Sequence, residues 1–111
     1  MAKTTPKVQH NQLYLNGTQP PLCQVDSSDW FAWLETATIF RYYPRQQAVI
    51  AHGHTRPMFP VSLRKEKRRR GYLWYAYRRT HGVLHKRYVG KSAVLTSQRL
   101  DEVAAWLDAL W

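Results

Sequence analysis

From Phe59 onward the chain alternates: Phe59, Val61 and Leu63 are apolar where Ser62, Arg64 and Glu66 are polar, the two-residue period of a half-buried strand. "RRG" turns that strand, "YLWYAYRR" predicts a second, "THG" turns again and "VLHKRYVG" predicts a third. Connections this short pair neighbouring strands as an antiparallel meander. Past Thr96 the period changes. Leu100, Val103, Ala104, Leu107, Leu110 and Trp111 recur at helical spacing, Thr96 or Ser97 supplies a cap, and Asp101 and Glu102 fall early, so "TSQRLDEVAAWLDALW" predicts an amphipathic helix. Its apolar stripe needs a partner, and Val61, Leu63, Trp74, Ala76 and Val89 on one face of the meander supply it.

The N-terminal half is less regular. Residues 1–12 are polar, with Pro6 and two lysines, and read as a flexible arm. "LYLNG" predicts a short strand that turns at Asn16 and Gly17, and Pro20 and Pro21 keep the chain extended. "VDSSDWFAWLETAT" carries helix-start signals: Ser27 or Ser28 as cap, Val25 as staple, Asp29 in the first turn. "TIFRYY" reads as a strand and "PRQQAVIAHGHTRP" as a loop or irregular hairpin. The expected fold is α+β. A three-stranded antiparallel sheet packs on a C-terminal helix, with an extra N-terminal helix and short strands, and residues 13–111 form one domain.

Charge changes the picture. Of 17 Lys and Arg, eleven lie in residues 64–91 beside a single acid, Glu66, while the rest of the chain balances six cations with six acids. The window therefore carries the whole net charge of +10. Clustered like charge is self-repelling, and a polyanionic partner neutralises it. With one cysteine, no disulfide can close within the chain, and no apolar run is long enough to span a membrane or serve as a leader. A cytoplasmic protein is the expectation.

If the C-terminal helix covers one sheet face, alternation turns Arg64, Arg68, Tyr75, Tyr77, Arg79, Lys86 and Tyr88 to the other. An antiparallel ribbon of this kind fits a DNA major groove, where arginine pairs with guanine edges. Lys67, Arg69 and Arg70 at the turn would reach phosphates, and Arg87 and Lys91 complete the candidate set. The second strand leaves two alternatives open. Leu73 falls on the open face and Arg78 on the buried one, so either a bulge lies near Gly71 or the faces are reversed.

"GYLWYAYRRTHGVLHKRYVGKS" followed by "LTSQRLDEVAAWL" resembles the strand-strand-strand-helix DNA-binding domains at the N-termini of tyrosine-recombinase integrases, which are similar in fold to plant ethylene-response-factor domains. The matching pieces are Trp74 to Ala76, the basic hairpin, the Tyr-Val-Gly at Tyr88 to Gly90, and "EVAAWL". This resemblance implies a sheet placed in the major groove and a role in mobile elements or transcription. "DSSDWFAWLETATIFRY", "SLRKEKRRRGYLWYAYRR" and "KRYVGKSAVLTSQRL" together resemble a segment near the N-terminus of large bacterial LuxR-type ATPase regulators. The chain has neither a recombinase catalytic domain nor a nucleotide-binding or helix-turn-helix module beside these pieces.

Other motifs carry less. "GKS" at Gly90 to Ser92 lacks the glycine a phosphate loop needs at position 85, where His85 stands. His52 and His54 have no third or fourth metal ligand nearby, and Glu66 has no acidic companion for a metal nuclease. Cys23 reads as a small half-buried residue. The expectation is a non-catalytic protein without cofactor or metal that binds nucleic acid, duplex DNA first. The alternatives are an RNA-binding or ribonucleoprotein-assembly subunit, and a basic adaptor for an acidic protein partner or a larger nucleoprotein complex. A membrane partner is not expected, because no helix joins a Lys-rich face to an apolar one.

Overall fold

A computed structural model describes residues 5–16, 20–44 and 59–109, and the backbone of 48–51 and 54–57. Along the chain run β1 (Lys7–Gln9), β2 (Gln12–Tyr14), β3 (Cys23–Gln24), α1 (Ser28–Thr36), β4 (Ile39–Tyr42), β5 (Ala48–Ala51), β6 (His54–Pro57), β7 (Val61–Arg68), β8 (Gly71–Thr80), β9 (Val83–Gly90), a 3-10 turn (Ser92–Val94) and α2 (Ser97–Asp108). Leu110 and Trp111, the last members of the expected helical stripe, and His52 and Gly53 lie outside the described residues. None of the described helices is long and apolar enough to cross a membrane.

The expected three-stranded sheet is corrected to a mixed sheet of seven strands in the order β3-β2-β1-β4-β7-β8-β9, with β5 and β6 as a separate two-stranded hairpin. The meander of β7, β8 and β9 is one side of it. β4 pairs antiparallel with β7, and β1 joins β4 in parallel through Lys7↔Arg41 and Val8↔Tyr42. Residues 7–12, read as part of an arm, thus form β1 and begin β2, with Val8 fully buried. The reason is local: His10 and Asn11 both adopt positive φ, 54° and 63°, closing a two-residue hairpin whose twist matches its strands.

Both helices lie on one face. Trp30 of α1 meets Phe40 of β4 edge-on at 5.4 Å, Phe40 meets Trp74 of β8 at 5.2 Å, and Tyr42 of β4 donates to Asp101 of α2. The core gathers Val8, Leu13, Leu34, Val61, Leu63, Ala76 and Val89 with Leu100, Val103, Ala104 and Leu107. Each large apolar side chain buried here contributes about 1.5 to 3 kcal/mol. Trp30 also donates its indole N–H to the Leu95 carbonyl at 2.7 Å, satisfying the one polar atom of a fully buried ring.

Caps follow the sequence. Ser27 accepts from Trp30 N at 3.2 Å and Thr96 accepts from Arg99 N at 3.2 Å. Asp26, held at φ 73°, adds a long-range contact: its carboxylate accepts from Ser97 N at 2.9 Å and from the Ser97 hydroxyl at 2.8 Å. A negative group thereby sits at the positive end of α2 and ties it to the N-terminal half.

Candidate nucleic-acid interface

Register decides the faces. Across β7 and β8, Ser62 pairs with Tyr77, Arg64 with Tyr75 and Glu66 with Leu73; across β8 and β9, Tyr75 pairs with Tyr88, Tyr77 with Lys86 and Arg79 with Leu84. Paired residues share a face. Because Trp74 and Ala76 are buried under the helices, Arg64, Arg68, Tyr75, Tyr77, Arg79, Lys86 and Tyr88 occupy the opposite one. Leu73 is on that face too, half-buried, and Arg78 is on the helix side. The bulge falls not near Gly71 but at Val89: Trp74 pairs with Gly90 and Tyr75 with Tyr88, leaving Val89 unopposed.

On the helix-free face, cations lie over rings. Arg68 is 5.1 Å from the centre of Tyr75, Arg64 is 5.6 Å from Tyr77, and Lys86 is 4.4 Å from Tyr75 and 5.5 Å from Tyr77. Tyr75 and Tyr88 meet edge-on at 5.7 Å. Such contacts hold flexible side chains extended against the sheet. Glu66 is the hub: Tyr77 donates to it, Arg68 lies at 2.5 Å and Lys86 at 3.2 Å. The Tyr77 hydroxyl, aided by Lys86 and Arg68, holds the Glu66 carboxyl below the usual range. Lys86 is raised, chiefly by its hydrogen bond to Tyr77 and then by Glu66, and Arg68 is raised chiefly by Tyr75 and then by Glu66.

Other candidates stand elsewhere. Arg69 and Arg70 form the exposed turn, relieved of strain by Gly71 at φ 103°, where an L side chain would be strained. Lys67 pairs with Tyr72 and so points to the helix side, exposed at the hairpin end. Arg87 is also on the helix side, 4.2 Å over the ring of Trp106, and Lys91 is exposed just after β9. Lys65, next to these cations in sequence, is internal in purpose. Its ammonium donates to the Leu34 carbonyl at 2.6 Å and to that of Glu35 at 3.1 Å, closing the C-terminal end of α1. Burial lowers its pKa, opposed by Glu35.

Several residues of this face escaped the sequence reading. Arg41 of β4 pairs with Ser62, and Lys7 of β1 pairs with Arg41, so the basic surface continues across the sheet. Lys7 lies 5.7 Å from the Tyr14 ring and 5.9 Å from Tyr43. "KVQ" and "QLY", the strands around Lys7, are only three residues long, too short for a readable period.

One geometric feature limits how this face is used. β4 pairs with β7 no further along than Arg64, and β9 reaches β8 no further than Trp74. Residues 66–73 therefore extend beyond the neighbouring strands as a two-stranded ribbon tipped by Arg68, Arg69 and Arg70.

The minor motifs resolve structurally. Ser92 of "GKS" accepts from the Trp74 indole at 2.9 Å, and Glu66 is an ion-paired surface residue. Cys23 packs against the core, and its burial raises the thiol pKa. Among the described residues no three His, Cys, Asp or Glu side chains come together to hold a metal. No protein-family model, curated protein or solved structure matches the chain.

Proposed function

We propose that the protein is a non-catalytic nucleic-acid-binding protein that engages duplex DNA. The observation that carries this reading is the helix-free sheet face, on which arginine and lysine are interleaved with tyrosine and a single acid. Counterion release from DNA phosphates would supply affinity.

The seven-stranded breadth revises how the sheet meets the duplex. At about 4.8 Å per strand the sheet spans roughly 29 Å, and a major groove about 12 Å wide admits only a helix or a two-stranded ribbon. The projecting ribbon of residues 66–73 meets that limit. In this reading Arg68, Arg69 and Arg70 enter the groove, and Arg41, Arg64 and Lys86 lie against the flanking backbone. This exchanges the roles that strand alternation alone suggests for the turn and the sheet.

The test is fluorescence anisotropy on a duplex over a range of salt. With about six phosphate contacts, log K falls against log salt with a slope of about −5. A slope near zero removes the proposal. The RNA reading draws on the exposed rings of Tyr72 and Tyr88, 59% and 51% accessible, which offer stacking platforms to unpaired bases. Stronger binding to single-stranded RNA than to duplex at equal salt would favour it.

A further inference from the structure

β9 is the outer strand of the sheet on the meander side, with β8 on one flank and no strand on the other. At eight residues it is a far longer edge than β3, which closes the opposite side with two. Its hairpin to β8 fixes which backbone groups stay open. His81 and Gly82 turn at φ 52° and 79°, a two-residue loop whose flanking pair, Thr80 and Val83, exchanges both hydrogen bonds. Every second pair repeats that exchange, so Val83, His85 and Arg87 bond to β8, while Leu84, Lys86 and Tyr88 turn their N–H and C=O groups outward. Among the described residues no backbone hydrogen bond reaches those outward groups.

The side chains along this edge are apolar toward its ends and cationic in its middle. Val83, Leu84 and Tyr88 are 57%, 53% and 51% exposed, so more than half of each is open to a partner. A long edge that exposes apolar side chains is a template for another strand. Lys86 lies between Leu84 and Tyr88 on the helix-free face, and Arg87 and His85 lie on the helix side. Glu66 gives Lys86 a counter-charge at 3.2 Å, whereas Arg87 has no carboxylate partner among the described residues and its Nε is buried without an acceptor. The ring of Trp106, itself exposed and 4.2 Å from the Arg87 guanidinium, forms a shoulder beside the edge.

We propose that β9 receives an extended acidic segment of a partner protein, which adds to the sheet as a further antiparallel strand. Main-chain hydrogen bonds to Leu84, Lys86 and Tyr88 give the affinity, and side chains at alternate positions give the selection. Charge names the occupant. The competing one is a second copy of this chain, and the two-fold pairing that uses all three outward residues sets Lys86 directly opposite its own copy, between two chains of net charge +10. Glutamate opposite Lys86 and Arg87 turns that repulsion into attraction, with apolar residues opposite Leu84 and Tyr88. The inference goes beyond nucleic-acid binding and stands without it.

The probe is a labelled peptide, Thr-Val-Glu-Glu-Thr-Ile-Thr, blocked at both ends and titrated by fluorescence anisotropy against the full chain. Antiparallel to β9, its Val meets Tyr88, its two Glu meet Arg87 and Lys86, and its Ile meets Leu84. Binding should be saturable and should weaken about tenfold when both Glu are replaced by Gln. Methylating the backbone nitrogens of Val, the second Glu and Ile, which bond to β9, should also weaken it about tenfold. Methylating those of the first Glu and the Thr that follows the second, which point away, should leave it within about twofold. Leu84→Pro removes one outward N–H without breaking the ladder to β8 and should weaken the peptide about fivefold. If that variant does not fold, Lys86→Glu should weaken it about tenfold. No binding at millimolar peptide, methylation patterns that do not differ, or an affinity unchanged in the folded Leu84 or Lys86 variant overturns strand addition. Self-association of the chain that Leu84→Pro abolishes would assign the edge to a second copy and overturn the acidic partner.

Discussion

Tyr77 donates its phenolic hydrogen to Glu66, so the one carboxylate of the basic window is held by the same tyrosine that lies beneath Arg64 and Lys86. Glu66 is thereby an internal counter-ion for Arg68 and Lys86.

Replacing it should strengthen binding. Glu66→Gln keeps the shape and removes the charge, freeing Arg68 and Lys86 for an external anion. Affinity for duplex should rise roughly fivefold, from about 1 kcal/mol of relieved repulsion in a solvated setting. Anisotropy titrations at low salt check this. Unchanged or weaker binding would mean that Glu66 organises the surface rather than competing for it.

The same carboxyl gives a pH dependence with a defined sign. Its folded pKa is lowered, chiefly by Tyr77, so its contribution to stability is fully present above the ordinary value near 4.5 and is lost as pH falls through the folded value. The stability difference between wild type and Glu66→Gln should therefore be constant near neutrality and shrink on acidification below about 4.5. Denaturant titrations at a series of pH values read it directly.

Two groups of cations in one stretch should separate by assay. Lys65→Met removes the donor to the Leu34 and Glu35 carbonyls and should cost about 1 to 3 kcal/mol of stability, leaving the salt slope of binding unchanged. Arg69→Ala with Arg70→Ala should leave stability within about 0.5 kcal/mol and shrink the slope by about one to two units. If the ribbon enters the groove, the same pair also lowers the ratio of specific to non-specific affinity. Loss of general affinity alone would return Arg69 and Arg70 to the backbone.

Leu107 is 1% exposed on the inner side of α2. Leu107→Ala should cost about 2 to 4 kcal/mol in a denaturant titration. A change near zero would detach α2 from the core.

The C-terminal half was legible because its strands are long enough to repeat. Eight to ten residues in β7, β8 and β9 set a period that placed Arg64, Tyr77 and Lys86 on one face and Trp74 and Ala76 on the other. Arg78 broke the pattern, because Asp108 lies thirty residues away on α2 and no local signal announces that pairing. β1 and β2 were missed for the opposite reason. Three residues cannot display a period, and their turn is His10–Asn11 rather than the familiar Asn-Gly. That omission concealed the breadth of the sheet, which has seven strands rather than three.

The parallel pairing of β1 with β4 makes the first strand a seam. Among the described strands it is β1 that pairs the small β1-β2-β3 group to the strands that carry the basic face, through hydrogen bonds such as Arg41 N to the Pro6 carbonyl at 2.9 Å and Tyr43 N to that of Val8 at 2.9 Å. Proteolytic trimming through Gln9 would unzip that seam and bare the edge of β4 as an unpaired row of backbone donors and acceptors. Exposed edges recruit other strands. A chain shortened there should self-associate through that edge.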